Sequence, residues 1–226
     1  MSTLRGQRVA RAELHIPRAG AWRADVTLER GAVMAPGPAT LVIADLTMQG
    51  TVLPGRGGLD GPEQPSVVVA GGAGWDMLLA RDGKYSSPGG VRLSTVLRDL
   101  AALAGDEPYD APAEVLLPQG YEWTASALGA PRQVRDVLAE LMRRRAILTW
   151  RVTPSGRTQF DAWPSIGAAD SAGRITSRNL GRGVRYVGLD TRAAGFLPGS
   201  RLEGAAVRRV IFLDTGGALT AEVWSR

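Results

Sequence analysis

The stretch AVRRVIFLDTGGALTAEVW, residues 206–224, reads as a β-hairpin. Ala206–Leu213 and Leu219–Trp224 are rich in β-branched and apolar residues, and Asp214-Thr215-Gly216-Gly217 supplies the turn between them. Upstream, Val184–Leu189 has the same strand character. At the other end of the chain it recurs in Gln7–Ile16, Trp22–Glu29, Leu41–Met48, Thr51–Leu53 and Ser66–Ala70. Turn and loop chemistry separates these runs at Ala35-Pro36-Gly37-Pro38 and across Pro54–Pro65. Closely spaced strands joined by turns predict a meander or small barrel.

The period changes in the centre. Leu93, Val96, Leu97, Leu100, Ala101 and Ala104 fall on one helical face, with Ser94 placed to cap the start and Gly105 to end it. A second helix is predicted to begin at Pro131, whose missing N–H costs nothing in a first turn, with Val134, Val137, Leu138, Leu141 and Met142 inward. Arg143, Arg144 and Arg145 close it, where cations complement the helix dipole. That run reads as a helix terminus, not a phosphate clamp. ILTWRVT and RTQFDAW flank Pro154-Ser155-Gly156, so Ile147–Trp163 is predicted to form a second hairpin. Pro164–Gly183 is small and polar and suits a crossing or linker. The fold class expected is α+β, β-rich, with no short-period repeat.

A chain of 226 residues suffices for one large or two small domains, and 44% hydrophobic with 22% charged residues is an ordinary globular balance. Cysteine is absent, which excludes disulfides, thiolate metal sites and cysteine nucleophiles. No stretch approaches the roughly 18 consecutive apolar residues of a membrane span. The start, MSTLRGQRVARAELHI, lacks the continuous apolar core of a signal peptide, so a cytoplasmic origin is expected. The net charge is +5, and Lys84 is the one lysine among the basic residues. From Arg174 to Arg209 eight arginines face only Asp190 and Glu203, whereas from Leu93 to Glu140 eight acids face three arginines. Such segregation steers docking between proteins or contact with nucleic acid, or simply marks two solvated faces.

Chemistry is sparse. His15 is the one histidine and lies in an expected strand, with no G-x-S-x-G elbow to make a triad around it. Lys84 sits in the turn-like Asp82-Gly83-Lys84-Tyr85 without a preceding S-x-x-K. Asp106, Glu107 and Asp110 are the densest acids, yet they follow a helix-ending glycine and surround Pro108, as a solvated turn would. In VVVAGGAGWDMLL, Gly71, Gly72 and Gly74 follow an apolar strand as a phosphate loop does. A Walker loop ends in G-K-[ST], where this chain has Gly74-Trp75-Asp76, and Met77 stands where a third dinucleotide-loop glycine belongs. A structural turn is the expected role. Trp22, Trp75, Trp123, Trp150, Trp163 and Trp224 are scattered one per segment, which favours packing over a stacking platform. No catalytic, cofactor or metal residue is therefore nominated, and the binding residues are left unassigned.

Three stretches carry a resemblance: ATLVIADLTMQGTVLPG (39–55), taken as a strand pair with a turn at Gly50; GGAGWDMLLARDGKYSSPGGVRLSTVLRDLAALAGDEP (71–108), a tryptophan-bearing loop leading through Tyr85 and Gly90 to a helix; and FLPGSRLEGAAVRRVIFLDTGGALTAEVW (196–224), a closing hairpin. Together they resemble the baseplate hub proteins of tailed phages, which are similar to the N-terminal part of type VI secretion spike proteins. The resemblance implies two tube-like β-barrel modules, at 1–80 and 166–226, flanking a helical and hairpin region at 81–165. It further implies a homotrimer that joins the hexameric tail tube, or a distal tail ring, to a trimeric central spike. DNA passing down the channel is a further partner it allows, membrane insertion is not expected, and the location is the virion, after assembly in the host cytoplasm. Opposite charges of the centre and the C-terminal third, with Arg182 and Arg185 among them, would then pair between neighbours. Other readings are a distal tail ring, tube terminator or spike base, a nucleic-acid-binding protein suggested by the pI near 10.3, and a cell-wall hydrolase using unassigned carboxylates.

Overall fold

The computed structural model describes residues 2–55, 64–106, 114–161, 173–189 and 192–225. The chain divides into two compact units, one of Met1–Gly71, Pro154–Gly156 and Trp163–Arg226, the other of Gly72–Thr153 and Arg157–Ala162.

A ten-stranded sheet forms the first unit. Its strands, in chain order, are β1 Thr3–Leu4, β2 Gln7–Pro17, β3 Arg23–Leu28, β4 Gly37–Ile43, β5 Leu46–Val52, β6 Ser66–Ala70, β7 Arg174–Asn179, β8 Val184–Leu189, β9 Arg209–Asp214 and β10 Leu219–Trp224. They lie in the order β1-β4-β5-β6-β3-β2-β9-β10-β8-β7. Because β1 bonds to β4 on one side and to Gln7 and Arg8 of β2 on the other, the first six strands close into a ring. A closed ring leaves those strands no lateral edge to pair uncontrollably. β2 belongs to both parts of the sheet: its first residues serve β1, while Ala12–Pro17 pair with β9. Its other edge pairs with β3 across a bulge between Val9 and Arg11.

Alternation decides which residues go inside. Beyond the bulge Ala12, Leu14 and Ile16 of β2 are buried, as are Val210 and Phe212 of β9 and Ala221 and Val223 of β10. Each large aliphatic or aromatic side chain taken from water this way contributes about 1.5–3 kcal/mol. Trp22, Phe196, Leu4, Leu28, Leu41, Ile43 and Met48 supply the rest of the largest buried volumes in this unit.

Several local expectations change. Leu41–Met48 is two strands, because Ala44, at φ +54°, and Asp45 make a two-residue turn with Ile43 opposite Leu46. Gly50 lies inside β5 and makes no turn; a Cβ there would stand 2.6 Å from the Ala70 carbonyl oxygen and 2.7 Å from the Trp22 ring. It is glycine so that β5 can pass against the indole. The segment expected as a linker contains β7, an edge strand whose polar residues are nearly all exposed and so give no alternation to read. The closing hairpin holds: Thr215 N–H donates to the Ala218 carbonyl at 3.2 Å, and buried Asp214 accepts from Gly216 N–H at 2.9 Å and from the Ser2 hydroxyl.

The second unit carries the helices, α1 Leu93–Leu103 and α2 Val134–Arg143. α1 buries Leu93, Val96, Leu97, Leu100 and Ala101, and ends at Gly105, φ +61°, with Asp106 N–H bonded to the Ala101 carbonyl. Its N-cap position is Arg92, so Ser94 lies inside the first turn instead of capping it. α2 starts three residues later than Pro131. Ala130–Pro131 is consumed by pairing with Ser126–Ala127, and Gln133, extended at ψ 156°, donates its N–H to the Asp136 carboxylate at 2.8 Å to open the helix. The hairpin after α2 is shorter than expected, Trp150–Val152 with Thr158–Phe160. Asp161 ends it by accepting the N–H groups of Leu148 and Thr149 at 2.5 and 3.2 Å; Trp163 lies outside the described residues.

Candidate functional site

Of the residues that the sequence singles out, His15, Asp76 and Asp106 have structural partners. His15 projects from the outer face of β2, where Arg209 donates to Nδ1 at 3.3 Å and Nε2–H donates to Glu13 Oε1 at 2.8 Å. Both ring nitrogens are thus engaged by charged neighbours, and no hydroxyl bonded to the ring is found among the described residues. Lys84 is in a strand, not a turn: Gly83–Tyr85 pairs with Tyr121–Trp123, setting Lys84 opposite Glu122. The phosphate-like loop is a short 3-10 turn, Ala73–Asp76. Trp75 and Met77 donate their N–H groups to the Gly72 and Gly74 carbonyls, so those amides are not aimed at an anion, and Asp76 pairs with Arg135 at 2.7 Å. A Cβ on Gly74 would stand 1.6 Å from the Ala104 carbonyl oxygen, so its glycine serves the close approach of this turn to the end of α1.

Asp106 has a packing role. It accepts Trp75 Nε1–H at 2.7 Å and the Thr158 hydroxyl, which itself accepts from Trp75 Nε1–H at 2.9 Å. Glu107 and Asp110 lie outside the described residues, and no group of three acidic or histidine side chains able to hold a metal ion occurs among the described ones. Trp22, Trp75, Trp123 and Trp150 are all buried. Arg144 pairs with Glu140 at 2.6 Å and lies over the Tyr121 ring at 5.2 Å, while Arg145, at φ +56°, leaves the helix. Burial, then the Glu140 carboxylate, push the Tyr121 phenol up to about 12. Burial and the hydrogen bond to Asp99 raise Tyr85 as well.

Of the two arginines expected to pair between neighbours, Arg185 is already held within its own chain. Its Nε donates to Glu203 at 2.7 Å and its guanidinium to the Ser225 hydroxyl at 3.0 Å. Arg178 donates to the same carboxylate at 2.5 Å, and the two arginines hold Glu203 down at about 2. Arg182 has no such anchor among the described residues.

What the first unit does present is a surface. The outer face of β9, β10 and β8 forms a groove of about 490 Å³ with Ile211, Leu213 and Tyr186 on its floor and Glu13 and Glu222 beside them. A wider hollow of about 760 Å³ shares Thr176 and Thr220 with it. No helix among the described residues is long and apolar enough to cross a membrane.

No protein-family model and no curated protein sequence matches the chain. Solved structures do match. The 43 kDa tail protein of prophage MuSo2 from Shewanella oneidensis superposes at a TM-score of 0.62 and 10% identity, over 99% of this chain and 97% of that one. A tail protein from Neisseria meningitidis MC58 gives 0.63 and 13%, over 98% and 94%. This chain has the fold of phage tail proteins. A third match, at 0.63 and 10% identity over 100% of this chain and 77% of that one, is the E. coli c3393 protein, a type VI secretion component described as structurally similar to the T4 tail proteins gp27 and gp5.

In this tail-protein fold the groove is the feature that the residue pattern did not disclose. Glu13, Tyr186, Ile211 and Glu222 come from four strands spread over the two ends of the chain, and only strand pairing sets them side by side. Alternation along β9 and β10, whose outward residues are half-exposed, is a signal that could have marked this face.

Proposed function

We propose that the chain is a non-enzymatic structural subunit of a phage tail or tail-like particle, acting as the baseplate hub: a homotrimer that joins the hexameric tube to the trimeric spike. The observation that carries the reading is the likeness in fold to tail proteins along 98–100% of the chain. In this reading residues 1–80 form the first barrel module around the β1–β6 ring, and residues 166–226 close a second around β2. Residues 81–165 supply the helical region between them in sequence. The subunit resides in the virion after assembly in the host cytoplasm, with DNA passing through the ring it helps to build. The engagement of His15, Asp106 and Lys84 in packing and strand pairing supports the absence of turnover.

Native mass spectrometry of the purified protein tests this. A threefold oligomer is expected; a sixfold ring would move the assignment to a distal tail ring or tube terminator. Release of peptidoglycan fragments by the pure protein would replace the structural reading with an enzymatic one. Binding to duplex DNA that weakens steeply with salt would favour the nucleic-acid reading instead.

A further inference from the structure

The turn between β7 and β8, Asn179-Leu180-Gly181-Arg182-Gly183, carries an apolar side chain in water. Leu180 is 67% exposed, although burying a leucine is worth about 1.5–3 kcal/mol. The tip is not a loose end: Asn179 Oδ1 accepts the Arg182 N–H at 3.1 Å, and Gly183, at φ +66°, donates its N–H to the Leu180 carbonyl at 3.2 Å. Of the arginines around it, Arg178 and Arg185 are committed to Glu203, which leaves the Arg182 guanidinium as the cation on offer.

The groove on β9, β10 and β8 has the opposite needs. Glu222 stands in register with Ile211 on one side and Tyr186 on the other. It is partly buried between them and makes no ion pair among the described residues. Glu13 beside it is already held by His15 at 2.8 Å and Arg11 at 3.7 Å, which leaves Glu222 as the unmatched charge, and neither lysine nor arginine lines this groove among the described residues. A guanidinium brought to a partly buried carboxylate that lacks a counter-ion forms a charge-assisted bond.

We propose that the β7–β8 turn of one copy of this chain docks in the groove of a second copy, Leu180 on Ile211 and Leu213 with Arg182 paired to Glu222. Taken head to tail, this contact builds a ring where its rotation closes, whereas a reciprocal exchange of the two turns would stop at a dimer. It rests on the reading of the chain as a ring-forming tail subunit, and it names the residues that make the ring. The acidic partner of Arg182 is then Glu222 in the C-terminal sheet, not the acids of the chain's centre.

Because the chain has no cysteine, an introduced one is a unique probe. Leu180→Cys and Thr220→Cys chains, co-expressed and oxidised, are expected to give a disulfide-linked pair containing one of each, absent when either is made alone. Arg182→Glu and Glu222→Arg are each expected to weaken assembly at least about tenfold, with recovery when both are present in every chain. Circular dichroism and the thermal melt of each variant check that the subunit stays folded. A trimer without the mixed cross-link, or one indifferent to either reversal, overturns the docking while the hub reading stands. A sixfold ring with the cross-link keeps the docking and overturns the hub reading. A wild-type chain that stays monomeric at high concentration overturns both.

Discussion

Trp22 in the first unit and Trp75 in the second are packed by the same device and satisfied differently. Both indoles are fully buried and lie against glycines that let the backbone come close: a Cβ on Gly71 would stand 2.1 Å from Trp22 Nε1, and one on Gly72 would stand 2.9 Å from Trp75 Cδ1. Trp75 donates its N–H to Asp106 and Thr158 and meets the Trp150 ring at 5.5 Å, tilted by 47°. Trp22 leaves its N–H without a partner among the described residues. The strand ring keeps an indole for its shape alone, while the smaller helical unit uses one to tie the turn after β6, the end of α1 and a hairpin together. Where strand pairing already satisfies the backbone, an aromatic can be pure volume; where elements are short, it must also serve as a hydrogen-bonded joint.

The hardest blow to this contrast is Gly74→Ala. The new methyl would meet the Ala104 carbonyl, a backbone atom with little freedom to move, so we expect a loss of about 3 kcal/mol or more and early melting of the second unit. Gly71→Ala meets a side-chain ring instead of a backbone carbonyl, and a smaller loss of about 1–3 kcal/mol is expected. Equal melting temperatures for the two variants would deny that backbone and side-chain obstruction differ here. Next in size, Trp75→Phe should cost about 1–2 kcal/mol more than Trp22→Phe in urea denaturation, because only the former removes hydrogen bonds and leaves a carboxylate short of donors. Leu128→Asn acts in the other direction. Leu128, at φ +52°, precedes Gly129 at the tip of the Ser126–Pro131 hairpin, fully exposed in a conformation that asparagine tolerates better. A gain of about 0.5–1 kcal/mol should appear as a higher melting temperature.

The smallest effect is one of pH. Glu203 is held at about 2 in the folded chain against an ordinary 4.5, so its pairing with Arg178 and Arg185 stabilises fully above about pH 4.5 and fades as pH falls toward 2. Glu203→Gln should flatten stability across that window and leave it unchanged in shape near neutrality. Since the group is exposed, salt should mute the difference further.

Much of the fold could be read from residues. The strand character of Gln7–Ile16, Val184–Leu189 and Leu219–Trp224 and the α1 face from Leu93 to Ala101 depend on neighbours in sequence, and the structure has them; the closing turn lies one residue later than Asp214–Gly217, because Asp214 still pairs with Leu219 at the end of β9. What eluded reading depended on partners far away. Gly50 looked like a turn because its reason, the Trp22 ring, lies 28 residues upstream. Pro131 looked like a helix start because the demand of Ser126–Ala127 for a paired strand is invisible in helix chemistry. β7 carries no apolar alternation because its residues are exposed on both faces. At the candidate site, composition pointed to segregated charge but not to its use, and Arg185 proved to be satisfied within the chain.

The sequence by itself determined that the chain is β-rich with two helices and carries no cysteine chemistry, since period, turn composition and residue inventory are local properties. Only the tertiary structure decided that β1 closes a ring through β2, that Asp106 serves an indole, and that Glu222 lies between Ile211 and Tyr186. Those outcomes follow from which strands pair across some two hundred residues, and pairing is a choice among many near-equal edges that the whole core makes at once.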